Sequence, residues 1–232
     1  MTEFVVFTLV GPMGSFGDLA GHERRGSGDW PARSAVLGLV GAALGVQRED
    51  CSAQQVLARW RVAVSVLSRS AAFRDFHTVQ TVPTARIKRP NSRREALEAL
   101  EIGDNPVITR RDYCSDCAFG VALWGGNGLA AVEEALARPR FTPYLGRKSC
   151  PLSAPMAPQV VVSTSPIEAL ARITVPPFMA LDPKRPSVVA SDEPLDGGWQ
   201  EIRWDEPLAR TSWHFGLRTV YLHRPIASER SE

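Results

Sequence analysis

The side chains of this sequence that are best suited to chemistry are arginines and lysines grouped in four short segments. Three are dipeptides, Arg24-Arg25, Arg110-Arg111 and Arg147-Lys148, and the fourth spans residues 86–94 without an acidic residue. The fourth segment contains Arg86, Lys88, Arg89, Arg93 and Arg94. Guanidinium and ammonium groups bind phosphate oxygens through charge-assisted hydrogen bonds. The pattern predicts a polyanion-binding surface, and flexible basic loops favour single-stranded RNA over a duplex.

The overall charge balance supports this prediction only in part. The 232 residues include 27 basic and 25 acidic side chains, and 24 of the basic ones are arginine. Residues 1–150 hold nineteen basic and fifteen acidic side chains, a net charge of +4, whereas 151–232 hold eight and ten, a net charge of −2. An arginine bias suits bidentate phosphate contacts, but a GC-rich genome produces the same bias. Scattered, solvated arginines are therefore the alternative interpretation.

Residues that could perform catalysis or hold a metal are sparse. Cys114 and Cys117 have the spacing of half a zinc site, but no second pair completes the four ligands. The four histidines form no HExxH pattern, and the sequence contains neither a Walker loop nor GxGxxG. Only His22 and His77, both near basic segments, are candidates for proton transfer. We predict no catalytic residue, no metal and no cofactor.

The hydrophobic pattern predicts the elements that position the basic groups. Phe4–Val10 predicts a buried strand, and the glycine-rich stretch 11–29 that follows it predicts a loop. Pro31 begins a predicted helix that ends at Val46. Two further strand-like runs, 107–113 and 118–124, are predicted to pair with each other and to precede a helix at 129–137.

A long proline-containing segment interrupts this pattern. The strand-like run 76–82 is followed by no long apolar run until Val107, and the interval holds the basic residues of 86–94. We therefore predict an insertion over 78–109 that leaves the core and returns to it. The element order predicts an α+β fold of the ferredoxin or RNA-recognition type over 1–150. The proline-rich remainder, 151–232, predicts a smaller β-rich lobe.

Targeting features are lacking in the sequence. The apolar run 4–10 is too short to span a bilayer and has no basic flank of the kind that signal peptides carry. Four cysteines in 232 residues are too few for a disulfide framework. We expect a cytoplasmic protein without a membrane partner.

Several motifs, in order along the chain, resemble the CasD family. CasD proteins are the subunits of type I-E CRISPR surveillance complexes (Cascade) that hold the 5′ end of the guide RNA. The motifs are Gly11-Pro12-Met13-Gly14-Ser15-Phe16-Gly17, Glu23-Arg24-Arg25, Pro31–Leu39, Ala42–Arg48, Thr109–Tyr113, Phe119–Trp124 and Tyr144–Leu152. They cover nearly all of the chain up to residue 152, and the region near 215–220 resembles the family more weakly.

The resemblance implies a non-catalytic RNA-binding subunit with a modified ferredoxin-like palm and a protruding thumb at 78–109. Such a subunit caps the repeat-derived 5′ handle of the CRISPR RNA (crRNA) and contacts the backbone and large subunits. It contacts target DNA only through the assembled complex, which acts in antiviral defence. The RNA-binding residues that we predict are Gly11, Met13, Ser15, Arg24, Arg25, Arg33, Ser34, Lys88, Arg89, Arg110, Arg111, Tyr144, Arg147 and Lys148.

Two alternatives stay open at this point. Relatives in the type I-C system are thought to cut repeat RNA with a tyrosine, a lysine and a histidine, so a metal-independent endoribonuclease is one of them. Here neither Lys88 nor Lys148 has a histidine neighbour in sequence, and the type I-E resemblance implies that a separate subunit cuts. The other alternative is a scaffold without RNA contact, which gives the basic insertion no role.

Overall fold

The computed structural model describes residues 1–20, 23–68, 71–80, 82, 85–101, 103–104, 106–209, 212 and 214–225. Its strands are β1 (Thr2–Gly14), β2 (Phe16–Ala20), β3 (Arg24–Gly28), β4 (Arg61–Val66), β5 (Ala72–Val79), β6 (Val107–Trp124), β7 (Gln159–Ser163), β8 (Val188–Ser191), β9 (Trp199–Ala209) and β10 (His214–His223). Its helices are α1 (Arg33–Leu44), α2 (Cys51–Leu57), α3 (Arg93–Glu98), α4 (Leu129–Ala137) and α5 (Pro166–Leu170). The predicted α+β class is confirmed.

The sheet is organised around β6, which has 18 residues. Its second half pairs antiparallel with β1 and β4, whereas its first half pairs antiparallel with β5 and parallel with β3. The prediction that 107–113 and 118–124 pair with each other is therefore wrong. No glycine or proline stands between Tyr113 and Ala118 to reverse the chain, so the two runs continue as one strand.

The core lies mainly between the central strands and two helices. Along the sheet the order is β7-β1-β6-β4, and all neighbours in this row are antiparallel. Buried side chains of α1 and α4, such as Val40 and Leu136, pack against odd-numbered residues of β6, such as Val121. Even-numbered residues of β6, such as Ala122, pack with Leu170 of α5 on the opposite side. This alternation fixes which face of the sheet each residue of β6 occupies.

The C-terminal strands extend the same sheet. β8 pairs antiparallel with β4, β10 with β8, and β9 with β10. Segments on both sides of residue 150 therefore share one sheet, and the division into domains at that residue stays a prediction.

The glycine-rich stretch is mostly strand, which corrects the prediction of a loop over 11–29. β1 continues to Gly14, and β2 and β3 form an antiparallel hairpin in which Phe16 is opposite Gly28. A Cβ atom at Gly14 would lie 2.9 Å from the ring of Phe16 and 3.0 Å from the sulfur of Cys117. Glycine at this position permits close packing within a strand and does not indicate a loop.

The helix predictions were more accurate. α4 has the predicted bounds, and α1 lies within the predicted 31–46. Gly45 ends α1 in the left-handed conformation, with φ of 78°. Over the described residues, no helix has the length and apolar character that a membrane span requires. The same residues include no group of three or more His, Cys, Asp or Glu side chains placed to hold a metal.

Candidate nucleic-acid interface

The predicted basic residues are concentrated on one part of the sheet, which we call the outer sheet. It consists of β2, β3, β5 and the first half of β6, residues 107–114. We name its two sides by the residues of β6 that they carry. The odd face carries Thr109, Arg111 and Tyr113, and the even face carries Ile108, Arg110 and Asp112.

Two of the arginine dipeptides lie side by side in the outer sheet. The parallel register of β3 and β6 places Arg24 next to Arg110 and Arg25 next to Arg111. Because side chains alternate along a strand, each dipeptide contributes one arginine to each face. The even face therefore receives Arg24 and Arg110, and the odd face receives Arg25 and Arg111.

Asp112 organises the arginines of the even face. Its carboxylate accepts hydrogen bonds from Nε of Arg74 at 2.7 Å and from Nη2 of Arg24 at 2.9 Å. The hydrogen bonds from Arg74 and then Arg24 lower the pKa of Asp112 to about 2, although burial opposes this shift. Asp112 thus stays ionised at neutral pH and compensates part of the positive charge of this face.

The odd face combines aromatic rings with arginine. The ring of Phe73, on β5, is stacked on that of Tyr113, with centroids 5.3 Å apart and an angle of 13° between the planes. The guanidinium carbon of Arg147 lies 5.2 Å from the centroid of the Tyr113 ring, which is a cation–π geometry. Arg25 is exposed, whereas Arg111 is half-buried with its Nε enclosed and lacking an acceptor among the described residues.

Arg147 is held in place by Ser15. Its Nε donates to Oγ of Ser15 at 2.9 Å, and that hydroxyl donates to the backbone carbonyl of Asp112 at 3.0 Å. Ser15 is only 3% exposed, so its side chain supports the site from below. Met13 is half-buried against the core. The structure therefore places Ser15 beneath the surface and in contact with Arg147, whereas Met13 packs against the core.

The segment 144–151 is a tight loop fitted against the end of β1. Leu145 donates its N–H to the carbonyl of Cys150 at 2.8 Å, and Ser15 donates its N–H to the carbonyl of Leu145 at 3.0 Å. Gly146 has φ of 81°, and a Cβ there would lie 1.8 Å from the carbonyl oxygen of Ser15. Only glycine fits at this point. The loop fixes the backbone of Arg147 and leaves Lys148 exposed.

Gly11 and Tyr144 belong to the same junction. A Cβ at Gly11 would lie 2.6 Å from Cδ1 of Leu145 and 2.9 Å from the carbonyl oxygen of Pro151. Tyr144 is exposed and forms an isolated bridge with Pro151. Gly11 therefore permits the loop to approach β1, while the ring of Tyr144 faces solvent beside it.

Arg33 occupies a different environment, at the start of α1. It is 8% exposed and forms ion pairs with Asp192 at 3.0 Å and Glu206 at 3.3 Å. Its Nη2 also donates to the carbonyls of Ala58 and Trp60. Burial raises the pKa values of Asp192 and Glu206, against the attraction of the arginines. Since its guanidinium is engaged inside the protein, we do not include Arg33 in the candidate surface; its neighbour Ser34 is half-buried.

The basic insertion carries both exposed cations and cations in ion pairs. Lys88 and Arg89 are exposed, whereas Arg86 forms ion pairs with Glu101 and Asp104. β5 and β6 extend into the predicted range 78–109 as far as the facing pair Val79 and Val107. His77 lies on β5 and is exposed, while His22 lies outside the described residues.

The sequence prediction missed three residues of this site: Phe73, Arg74 and Asp112. The strand predicted at 76–82 corresponds to β5 at 72–79, so the prediction includes neither Phe73 nor Arg74 in an element. Exposure of all eight residues of β5 explains the error, because the strand has no buried face to produce an alternating pattern. The arginine dipeptides were found, but their division between two faces depends on strand register.

Comparisons with known proteins identify the family of the chain. The family model for CRISPR-associated proteins of the Cas5 type matches residues 4–221. The CRISPR system Cascade subunit CasD of Escherichia coli (strain K12) is 33% identical over 189 residues, which cover 73% of this chain and 76% of that protein.

Solved structures show the same fold. A chain of a CRISPR RNA-guided surveillance complex has a TM-score of 0.69 at 23% identity, covering 95% of this chain and 89% of its own length. A crystal structure of a Cas protein has a TM-score of 0.62 at 26% identity, covering 95% of this chain and 94% of the other. The large mixed sheet described above is thus a known architecture.

Proposed function

Because the chain belongs to the Cas5 family of CRISPR-associated proteins, we propose that it is the guide-RNA-binding subunit of a type I-E Cascade complex. In this role it caps the repeat-derived 5′ handle of crRNA. The proposal rests on the relative of 33% identity, which is named as a Cascade subunit, and on the chemistry of the outer sheet.

The observation that carries the proposal is the grouping of arginines on the odd face. Arg25 and Arg111 are neighbours across β3 and β6, and Arg147 is fixed beside them through Ser15 and Tyr113. Three guanidinium groups on one surface, with exposed Lys148 in the adjacent loop, suit the closely spaced phosphates of a single strand. Because Arg147 is already held in place, binding costs less side-chain conformational entropy.

The fold supports the division into palm and thumb that the family resemblance implies. The order β7-β1-β6-β4, with α1 and α4 on one side, is the arrangement expected of a ferredoxin-like palm. We assign the thumb to residues 80–106, which lie between the last residue of β5 and the first residue of β6. The adjoining ends of these two paired strands belong to it as well. The C-terminal strands form the smaller β-rich part.

The remaining partners follow from membership of a complex. We propose contacts with the backbone subunit through the thumb and with the large subunit elsewhere, and an indirect contact with target DNA. Lys88 and Arg89, both exposed on the insertion, are available to RNA or to acidic side chains of a neighbouring subunit.

Purification of the complex through this chain tests the proposal. Sequencing of the RNA recovered with the wild-type chain should give a uniform 5′ end. The double variant Arg25→Ala, Arg111→Ala should recover much less of this RNA. Lys184→Ala, Arg185→Ala removes two exposed cations outside the outer sheet and is the matched control. RNA with random ends, or equal losses in both double variants, would refute the proposal.

A metal-independent endoribonuclease is the second candidate, and it is distinguished by cleavage. Proton transfer requires an acid and a base held at the scissile phosphate. His77 is exposed on β5, so its side chain is open to solvent. We expect repeat RNA to remain uncut by the purified chain, with or without divalent metal. Site-specific cleavage that is lost in His77→Ala or His22→Ala would establish the nuclease instead.

A further inference from the structure

Phe73 presents one side of its ring to solvent while the other side covers Tyr113. Phe73 is 39% exposed, whereas Tyr113 beneath it is 7% exposed. The two residues are cross-strand partners in β5 and β6, and their rings are nearly parallel. An aromatic ring in this position offers a flat apolar surface to a ligand, and the ring of Tyr113 already supports its other side.

The platform is rigid because the stack beneath it is fixed at its far end. Arg147 contacts the Tyr113 ring and is anchored by the hydroxyl of Ser15, which is itself bonded to the backbone of β6. Tyr113 therefore contacts both Phe73 and Arg147, and the ring that backs Phe73 is connected to the tight loop 144–151. A ring added on the outer side of Phe73 would continue the stack.

Space and charge around Phe73 both favour a nucleotide. β5 pairs with β6 alone among the described strands, so its other edge is open. The same face carries Arg111 two residues along β6 from Tyr113, and Arg25 beside Arg111. Asp75, opposite Arg111, is the acidic residue of β5 on this face. A cationic surface next to an exposed aromatic ring matches a base and its phosphates better than an apolar protein segment.

We propose that Phe73 is a stacking platform for one base of single-stranded RNA. This inference rests on the proposed function, since it specifies how the RNA-binding face holds a nucleotide. Stacking on a phenyl ring accepts any base, so Phe73 contributes affinity without reading the sequence of the strand. The phosphates next to that base then lie within reach of the arginines of the odd face.

Fluorescence of 2-aminopurine tests the platform directly. The probe is a short single-stranded RNA of mixed sequence in which 2-aminopurine replaces one base at a time, titrated with the full-length chain. For the wild type, we expect the fluorescence to be quenched on binding at one or more of the labelled positions. Phe73→Ala should abolish that quenching and weaken binding roughly 5- to 150-fold, the range expected for one stacked base. Phe73→Trp should retain both properties.

Phe76→Ala is the matched control. Phe76 lies on the same strand, is 61% exposed and faces the even side, opposite Arg110. Its removal should leave the quenching and the affinity unchanged. Equal losses in Phe73→Ala and Phe76→Ala would overturn the inference.

A comparison of Phe73→Leu with Phe73→Trp covers the case in which the alanine variant does not fold. Both keep apolar contact with Tyr113, but only tryptophan stacks, so equal binding by the two would overturn the inference. The salt dependence of RNA binding distinguishes failure of the platform from failure of the proposed function. Salt-dependent binding by the wild type that Phe73→Ala leaves intact refutes only the platform, whereas absence of salt-dependent RNA binding by the wild type refutes both.

Discussion

Nε of Arg74 lies 2.7 Å from Oδ1 of Asp112, and this ion pair joins β5 to β6 at the point where Arg24 of β3 reaches the same carboxylate. One acidic side chain therefore connects three strands of the outer sheet. Its low pKa follows from this position, because both guanidinium groups stabilise the ionised form.

The first prediction concerns the pH dependence that Asp112 confers. Its pKa falls from 3.8 in the unfolded chain to about 2 in the folded one, so its ion pairs stabilise the protein above pH 3.8. That stability is lost as pH falls through the folded pKa. We expect Asp112→Asn to be less stable than the wild type at neutral pH, with a difference that shrinks between about pH 4 and pH 2. Urea unfolding at a series of pH values measures this, and a constant difference would contradict it.

The second prediction separates the two faces of the outer sheet. Arg25→Ala, Arg111→Ala removes two cations from the odd face, and Arg24→Ala, Arg110→Ala removes two from the even face. If each odd-face arginine contacts one phosphate, the first variant should reduce the salt slope of RNA binding by about 1.4, which is about 0.7 per contact. The second variant should change it less, because Arg24 is already paired with Asp112. Equal reductions would mean that RNA contacts both faces.

The third prediction tests the tight loop that carries Arg147. Gly146→Ala places a methyl group against the carbonyl of Ser15 at a left-handed φ, so it should destabilise the protein by roughly 1–3 kcal/mol or more. Gly197→Ala is the control, since Gly197 has φ of 68° but no atom within 4 Å of the added Cβ. Thermal unfolding should show a larger loss for Gly146→Ala, and RNA binding should weaken in that variant alone. Similar losses in both would mean that only the backbone conformation matters.

The sequence predicted helices and strands well where burial against the core produces a recognisable apolar pattern. It did not predict the start of a strand that lacks such a pattern. The helix at 129–137 and the apolar run 4–10 within β1 are both packed against the core, and their apolar patterns are visible in the sequence. β5 is exposed along its whole length, so nothing in its composition marked where it begins.

The site itself was predictable in part for a similar reason. Arginine dipeptides are conspicuous in a sequence, but the facing of Arg25 and Arg111 depends on a parallel pairing between strands far apart in the chain. Arg33 resembled the other candidates until its carboxylate partners, more than 150 residues away, were located. Contacts of that sequence separation have no local signature.

The fourth prediction concerns the insertion. Replacing residues 80–106 by a short Gly-Ser link keeps the facing pair of Val79, the last residue of β5, and Val107, the first residue of β6. The palm should remain folded, since loop-closure entropy changes slowly with length. The shortened chain should keep its circular dichroism spectrum but should no longer assemble with the other subunits, as size-exclusion chromatography would report. A complete complex that protects the same RNA end would disprove the thumb assignment.

The buried ion pairs of Arg33 have a consequence for how the chain is made. Asp192 and Glu206 follow Arg33 by 159 and 173 residues. At about 5–20 residues per second, a ribosome adds them roughly 8–35 s after Arg33. Until then, burying the start of α1 would enclose a cation without its counter-ions, which is strongly unfavourable. We therefore expect the start of α1 to reach its final packing only after β8 and β9 have been synthesised.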